Sequence, residues 1–361
     1  MSLPKEMQAW FAVLGNPEPV LRTVPVPQPG PLDVLIKVQA MGVCHSDCFL
    51  LQMKQRSWGQ KDEFILGHEP AGEIVQLGSE VDPKTLAVGD KVSVYTIPGC
   101  HASKDCASCM RGYTWVCGND GAGSYGLGKD PGSFAEYMVI QARAGVKLPK
   151  GVDVLAGSIS TDAVLTSWAA VKYTANVQPD QTVVIFGLGG VGFNGLKAAL
   201  HLGVKRVLVV DTRQQVLDAA VEAGVAASDA FLAGGTNVPT IAETVAKEGI
   251  AVDTCIDFVG NEQTIGAAQT ILRTGGTLVL VGLLGATATL IVPLMVVNLL
   301  TVKGSFNGTI EAHREVLDLL AQGVLKPGIR TGSINDLPQV LKDLDEGRIK
   351  DRMVLLPDWK R

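Results

Sequence analysis

The alternation of apolar and polar positions divides the chain into two textures. Up to about residue 160, short apolar runs alternate at a period of two and are broken by turn residues: VLIKVQAMGV, AGEIVQLGSEV and GDKVSVYTI, with Pro-Gly and Gly-Asp steps between them. Successive side chains of a strand point to opposite faces, so this pattern predicts antiparallel strands. Beyond residue 160, VVIFG precedes a helical period over 191–202, VKRVLVVD precedes RQQVLDAAVEAG, and IDFVG and GTLVLVGL read as further buried strands. Continuous apolar strands separated by helices predict a doubly wound parallel sheet, so the fold class is α/β. After about Lys303, two amphipathic stretches, HREVLDLLAQG and LPQVLKDLDEG, lead to a closing strand, RMVLLP, which suits a return to the first domain.

One run tests this division. Thr274 to Val302 carries no charged side chain, yet it contains Gly275, Gly276, Gly282, Gly285 and Pro293. Those breakers argue against a membrane span and predict buried strands, TLVLVGLL and LIVPLMVV, separated by turns. The 361 residues suffice for two domains, and 47% apolar with 19% charged side chains fits a globular enzyme. A net charge of −5 gives no general electrostatic reason to bind nucleic acid or an anionic membrane. The N-terminal stretch MSLPKEMQAWFAVLG has early charges and no long apolar core, so no signal peptide is expected and the cytoplasm is the expected compartment. Seven cysteines, an odd number, argue against a disulfide framework, and six of them lie between residues 44 and 117.

Gly187-Leu188-Gly189-Gly190-Val191-Gly192 follows the apolar strand TVVIF and opens a helix. In that context the first glycine permits a tight turn, the second lets the backbone approach a pyrophosphate, and the third allows close helix–strand packing, with the helix N-terminus favouring negative charge. The next strand ends in Asp211, placed to accept hydrogen bonds from the adenosine ribose. A 2′-phosphate would be repelled there, which favours NAD over NADP. Arg213, two residues on, is placed either to hold a phosphate or to stack beside the adenine.

Zinc takes Cys, His or carboxylate ligands and, when catalytic, keeps one position open. Cys44 in GVCHSDCF and His68 in GHEPAGEIV come from segments whose turns would let them converge, although a lone Cys or His more often packs in a core. Cys48 and Cys255 read as packing residues. VCHSD, GHEPAGEIVQLGSEV, GDKV, GSFAEY and FGLGGVG, in this order, resemble the zinc-dependent alcohol dehydrogenases of the medium-chain dehydrogenase/reductase superfamily over essentially the whole chain.

The resemblance implies a GroES-like catalytic domain from both ends of the chain, 1–163 and 303–361, with a structural zinc lobe at about 98–118 and a Rossmann NAD-binding domain at 164–302. It implies two zinc ions. Cys44 and His68 would hold the catalytic one, with Asp47 orienting the His68 ring and Glu69 able to approach the metal. Relatives often supply a cysteine as third ligand; here the matching stretch STDAVLTSW offers Asp162. Cys106, Cys109 and Cys117 match the last three ligands of the structural site. Ser103 stands where the first cysteine is usual, which leaves Cys100 as fourth ligand, with His101 as the alternative.

The same match implies roles for the remaining residues. Ser46 takes the substrate proton, His45 contacts the pyrophosphate, Thr166, Val191 and Val281 line the nicotinamide, and Leu283 lies between cofactor and substrate. Phe49 replaces the histidine that often relays the proton. Thr96 replaces a bulky aromatic residue, which leaves room for a branched or aromatic alcohol unless Trp58 refills it. The implied reaction interconverts an alcohol and an aldehyde or ketone by hydride transfer with NAD. Rival readings are a polyol dehydrogenase, a zinc-independent enoyl or quinone reductase, and a cofactor-binding protein without activity. As in the family, a homo-oligomer, dimer or tetramer, is expected, with LIVPLMVV as an edge strand between subunits.

Overall fold

The computed structural model describes residues 3–56, 59–100, 105–119, 121–234 and 240–360. The chain forms two compact units, Met1–Ala163 with Thr309–Arg361, and Val164–Gly308.

The first unit is built on strand Asp33–Gly42, which pairs antiparallel with Glu69–Leu77 on one side and with Tyr137–Gln141 and Arg352–Leu356 on the other. Lys91–Val94 and Gly145–Lys147 extend the sheet beyond Glu69–Leu77, and Ile329–Ser333 extends it beyond Arg352–Leu356. Alternate residues of these strands form the core: Val34, Ile36, Val38, Ile74, Val92 and Ile140 are wholly buried. A smaller sheet, Val20–Pro25, Glu6–Val13 and Glu63–Ile65, completes the β-rich part. The register ends with Gly42 opposite Glu69. That last pair brings the chain just before Cys44 against the chain just after His68. Helix Val154–Ile159, capped by Asp153 accepting from the Ala156 N–H at 2.8 Å, packs on both strands and runs into a π-helical turn, Ser160–Val164.

The second unit is a six-stranded parallel sheet in the spatial order Ala230–Leu232, Arg206–Asp211, Thr182–Phe186, Val252–Asp257, Leu272–Leu280 and Thr301–Gly304. Its central strands are apolar at successive positions because helices cover both faces; Val183, Val184, Ile185, Leu208, Val209, Cys255 and Ile256 are fully buried. The chain starts at the centre, winds one way and then the other. The strand order therefore reverses beside Thr182–Phe186, and open α/β sheets bind ligands at such a crevice.

The uncharged run departs from expectation. Leu278 and Val279 are buried in a strand as predicted, but Leu283, Leu284, Val296, Val297 and Leu299 are 66–77% exposed. LIVPLMVV is no strand: Val292–Val297 is a helix with Pro293 in its first turn. Proline lacks the N–H a ladder needs, and its fixed φ suits a helix start. Among the described residues one helical stretch, Val154–Thr174, is long and apolar enough to cross a membrane by length and composition, but 78% of its 18-residue apolar window is buried in the protein.

Candidate metal centres and coenzyme site

Cys44 precedes helix His45–Gln52, and the buried Asp47 of its first turn serves both neighbours. Asp47 Oδ2 accepts from the Cys44 N–H at 3.0 Å, while Oδ1 lies 3.2 Å from His68 Nδ1. A carboxylate on Nδ1 fixes the proton there and leaves the Nε2 lone pair for a metal. Cys44 Sγ and His68 Nε2 stand 3.5 and 3.7 Å from Asp162 Oδ2. Tetrahedral zinc, with bonds of about 2.0–2.3 Å, spaces its ligands about 3.3–3.8 Å apart, so the donor set fits this ion. One donor atom each from Cys44, His68, Glu69 and Asp162 lie within 4.8 Å of one another. Burial alone would lower the His68 pKa, but the charge of Asp47 and the ring's own hydrogen bonds to Asp162, Asp47 and Cys44 hold it well above the ordinary imidazole value. The surroundings favour a positive charge between the donors.

Glu69 is fully buried, and its Oε1 accepts from Arg352 Nη2; its Oε2 has no partner among the described residues. Burial pushes its pKa up to about 7 against the pull of Arg352. Ser46 Oγ is 3.6 Å from Cys44 Sγ. Thr96 is buried, and its hydroxyl donates to the His68 carbonyl at 3.0 Å. His45 is exposed and Phe49 is 52% exposed. Trp58, His101 and Ser103 lie outside the described residues.

The second cluster joins Cys100, Cys106, Cys109 and Cys117, whose sulfurs lie within 4.8 Å of one another. Cys100 and Cys109 are 3.7 Å apart, Cys106 and Cys117 3.6 Å. Four thiolates on one zinc at about 2.3 Å would sit about 3.8 Å apart. Gly99 enables the arrangement: its φ is +84°, and a side chain there would meet Thr114 at 2.8 Å. Burial pushes the Cys117 thiol up to about 12, so a bound cation is what would favour the thiolate.

In the second unit, Gly187 has φ +83°, and a Cβ on Gly192 would collide with the Gly187 carbonyl oxygen. Gly189 faces open space, as a backbone that cradles a pyrophosphate must. Gly190 and Val191 complete the turn, the Gly190 carbonyl accepting from Asn194 Nδ2 at 2.8 Å. Asp211, 7% exposed, accepts from the Leu188 N–H at 2.7 Å. Arg213 is turned onto this carboxylate, Nε at 3.0 Å and Nη2 at 3.1 Å. Burial opposes the charge, but Arg213 and the Leu188 N–H hold the Asp211 carboxyl below the usual range. Thr166 is buried, Val281 half-buried, and Leu283 77% exposed.

Residues 30–150 match the alcohol dehydrogenase GroES-like domain family, and residues 190–322 match the zinc-binding dehydrogenase family. An alcohol dehydrogenase of Rhizobium meliloti is 30% identical over 341 residues, 93% of this chain and 94% of its own. Acetophenone reductase from Geotrichum candidum, solved in complex with NAD, superposes with a TM-score of 0.88 at 30% identity, covering 99% of each chain. The alcohol dehydrogenase of Aeropyrum pernix gives a TM-score of 0.84 at 26% identity, over 97% of this chain and 100% of that one. The chain belongs to the zinc-dependent alcohol dehydrogenases. This dehydrogenase interconverts an alcohol and a carbonyl compound, with zinc and NAD as its cofactors.

Two buried polar residues of the first unit were beyond sequence reasoning: Arg352, which meets Glu69, and His313, which meets Ser93 and Ser160. Arg352 opens the strand RMVLLP, where its only signal was a charge at the edge of an apolar run. His313 sits in an amphipathic helix among other polar residues, and nothing in the local pattern sets it apart.

Proposed function

We propose that this dehydrogenase acts in the cytoplasm, as a homo-oligomer, on secondary alcohols and ketones, aryl-substituted ones included. The observation that carries the reaction is the Cys44, His68, Glu69 and Asp162 donor set, spaced for one divalent ion. The substrate class is supported by the likeness to acetophenone reductase and by Thr96 standing where relatives place a bulky aromatic residue. In our reading Cys44, His68 and Asp162 hold the catalytic zinc, and the four clustered cysteines hold the structural one. The bound zinc supplies a Lewis acid for the substrate oxygen, and NAD the ring carbon that exchanges hydride.

The chain's own residues do the rest. Asp47 keeps the His68 ring in the tautomer that presents Nε2. Ser46 accepts the alcohol proton at Oγ and passes it towards solvent. Phe49 has no proton to exchange, so the route from Ser46 ends in water or in another residue. His45, Thr166, Val191, Val281 and Leu283 hold the coenzyme, Gly187 to Gly192 cradle its pyrophosphate, and Asp211 receives the ribose hydroxyls. Trp58 and Leu283 join Thr96 as the residues we assign to the substrate.

Free cysteines among the described residues, five of the seven lying in the two clusters of metal-ligating side chains, suit a reducing compartment. Leu283, Leu284, Leu290, Val292, Val296, Val297 and Leu299 expose a large apolar surface, the kind subunit contacts cover.

Elemental analysis tests the metal reading: two zinc ions per chain in the wild type, and one in Asp162→Ala, with turnover lost. Full zinc occupancy and normal turnover in that variant would remove Asp162 from the ligand set. An NAD-linked screen of primary, secondary and aromatic alcohols then tests the substrate class.

A further inference from the structure

Three buried polar groups of the first unit serve none of these roles. His313 stands on helix Ile310–Ala321, Ser93 on strand Lys91–Val94, and Ser160 opens the π-helical turn Ser160–Val164 that carries Asp162. All three are 0% exposed. His313 Nε2 lies 3.0 Å from Ser93 Oγ and 3.0 Å from Ser160 Oγ, and the hydroxyls are 3.1 Å apart. Each hydroxyl is 2.7 Å from the Gly157 carbonyl oxygen. His313 Nδ1 has no partner among the described residues.

One arrangement of protons leaves no donor unused. Both hydroxyls donate to Gly157, whose carbonyl oxygen has two lone pairs, and Nε2–H donates to the hydroxyl oxygens. Only the Nδ1 lone pair is then unsatisfied. A proton on Nδ1 would instead bury an N–H without an acceptor, a rarer and costly condition. Burial, with Arg314 nearby, pushes the His313 pKa down to about 3, so the ring is neutral under working conditions.

Gly157 lies in helix Val154–Ile159, just ahead of the wide turn. In a regular helix a carbonyl accepts from the amide four residues on; in a π-turn the step is five. Hydroxyls gathered on one carbonyl compete with its main-chain donor, and side-chain competition of this kind bends helices. One extra residue in a turn rotates every later side chain by about 100°. Whether Asp162 faces Cys44 and His68 therefore depends on the turn staying wide.

We propose that the hub of His313, Ser93 and Ser160 holds this turn open and so sets Asp162 against the catalytic metal, His313 acting as a positioning residue. The proposal rests on the reading of Asp162 as a ligand.

The test compares His313→Leu, which removes the Nε2–H, with His313→Gln, whose amide N–H can replace it. Two readouts are taken: chelator-driven zinc release from the catalytic and the four-cysteine sites, and the visible bands of the form carrying cobalt in the catalytic site. His313→Leu is expected to release the catalytic metal about tenfold faster and to shift the cobalt bands. The four-cysteine site should keep its rate, and His313→Gln should restore most of the loss. Unchanged release and bands in His313→Leu, or equal acceleration at both sites, would overturn the proposal. Should His313→Leu not fold, Ser160→Ala carries the same expectations. Failure of the ligand reading is distinguishable, because Asp162→Ala would then keep both metals whatever the hub variants do.

Discussion

In the reading proposed above, the choice of coenzyme falls to Asp211, with Arg213 paired to it. The Asp211 carboxylate is already held as an anion by Arg213 and the Leu188 N–H, so a 2′-phosphate would meet fixed negative charge. Asp211→Ala should raise the NADP:NAD ratio of kcat/KM by at least about tenfold, equivalent to about 1.4 kcal/mol; steady-state kinetics with both coenzymes measures it. Phe49 makes the opposite kind of statement, about a group that cannot act. Phe49→His places an imidazole at an exposed position. Turnover should rise near neutral pH, and the gain should grow as pH passes upward through the ordinary imidazole value of about 6.5, since the neutral ring is the base. A flat or lower pH–kcat profile counts against a relay through this position.

The strand pair Asp33–Gly42 and Glu69–Leu77 brings the segments bearing Cys44 and His68 together. Its last register pair tolerates no side chain: a Cβ on Gly42 would run into Glu69 Oε2. Gly42→Ala should cost about 1–3 kcal/mol as overpacking and loosen the catalytic metal before the four-cysteine one. Thermal unfolding and chelator titration report the two effects separately. This pair was legible as two strands, because period-two alternation survives in AGEIVQLGSEV, as was the parallel sheet, because central strands such as TVVIF and RVLVVD carry unbroken apolar runs. The helix Val292–Val297 was not, since a short apolar run has no period that separates helix from strand, and Pro293 was the overlooked sign. The four side chains gathered at Cys44, His68, Glu69 and Asp162 could be listed from motifs. Their partners could not: Arg352 meets Glu69 across 283 residues, and no local pattern encodes such a meeting.

At the scale of the whole molecule, the apolar surface around Val292–Val297 is the feature that a lone chain explains least. Val296→Glu puts a charge in its middle, and size-exclusion chromatography with light scattering should show a shift to the monomer with the parallel sheet intact by circular dichroism. An unchanged mass would mean that this surface is not a subunit contact. The first unit, Met1–Ala163 with Thr309–Arg361, carries a different consequence. Its sheet receives Arg352–Leu356 beside Asp33–Gly42 only after the intervening unit has been synthesised. On the ribosome, therefore, Glu69 waits as a lone buried-to-be acid until Arg352, 283 residues later, is translated, and a nascent chain halted before Arg352 should emerge with its coenzyme fold formed and its zinc pocket still unfinished.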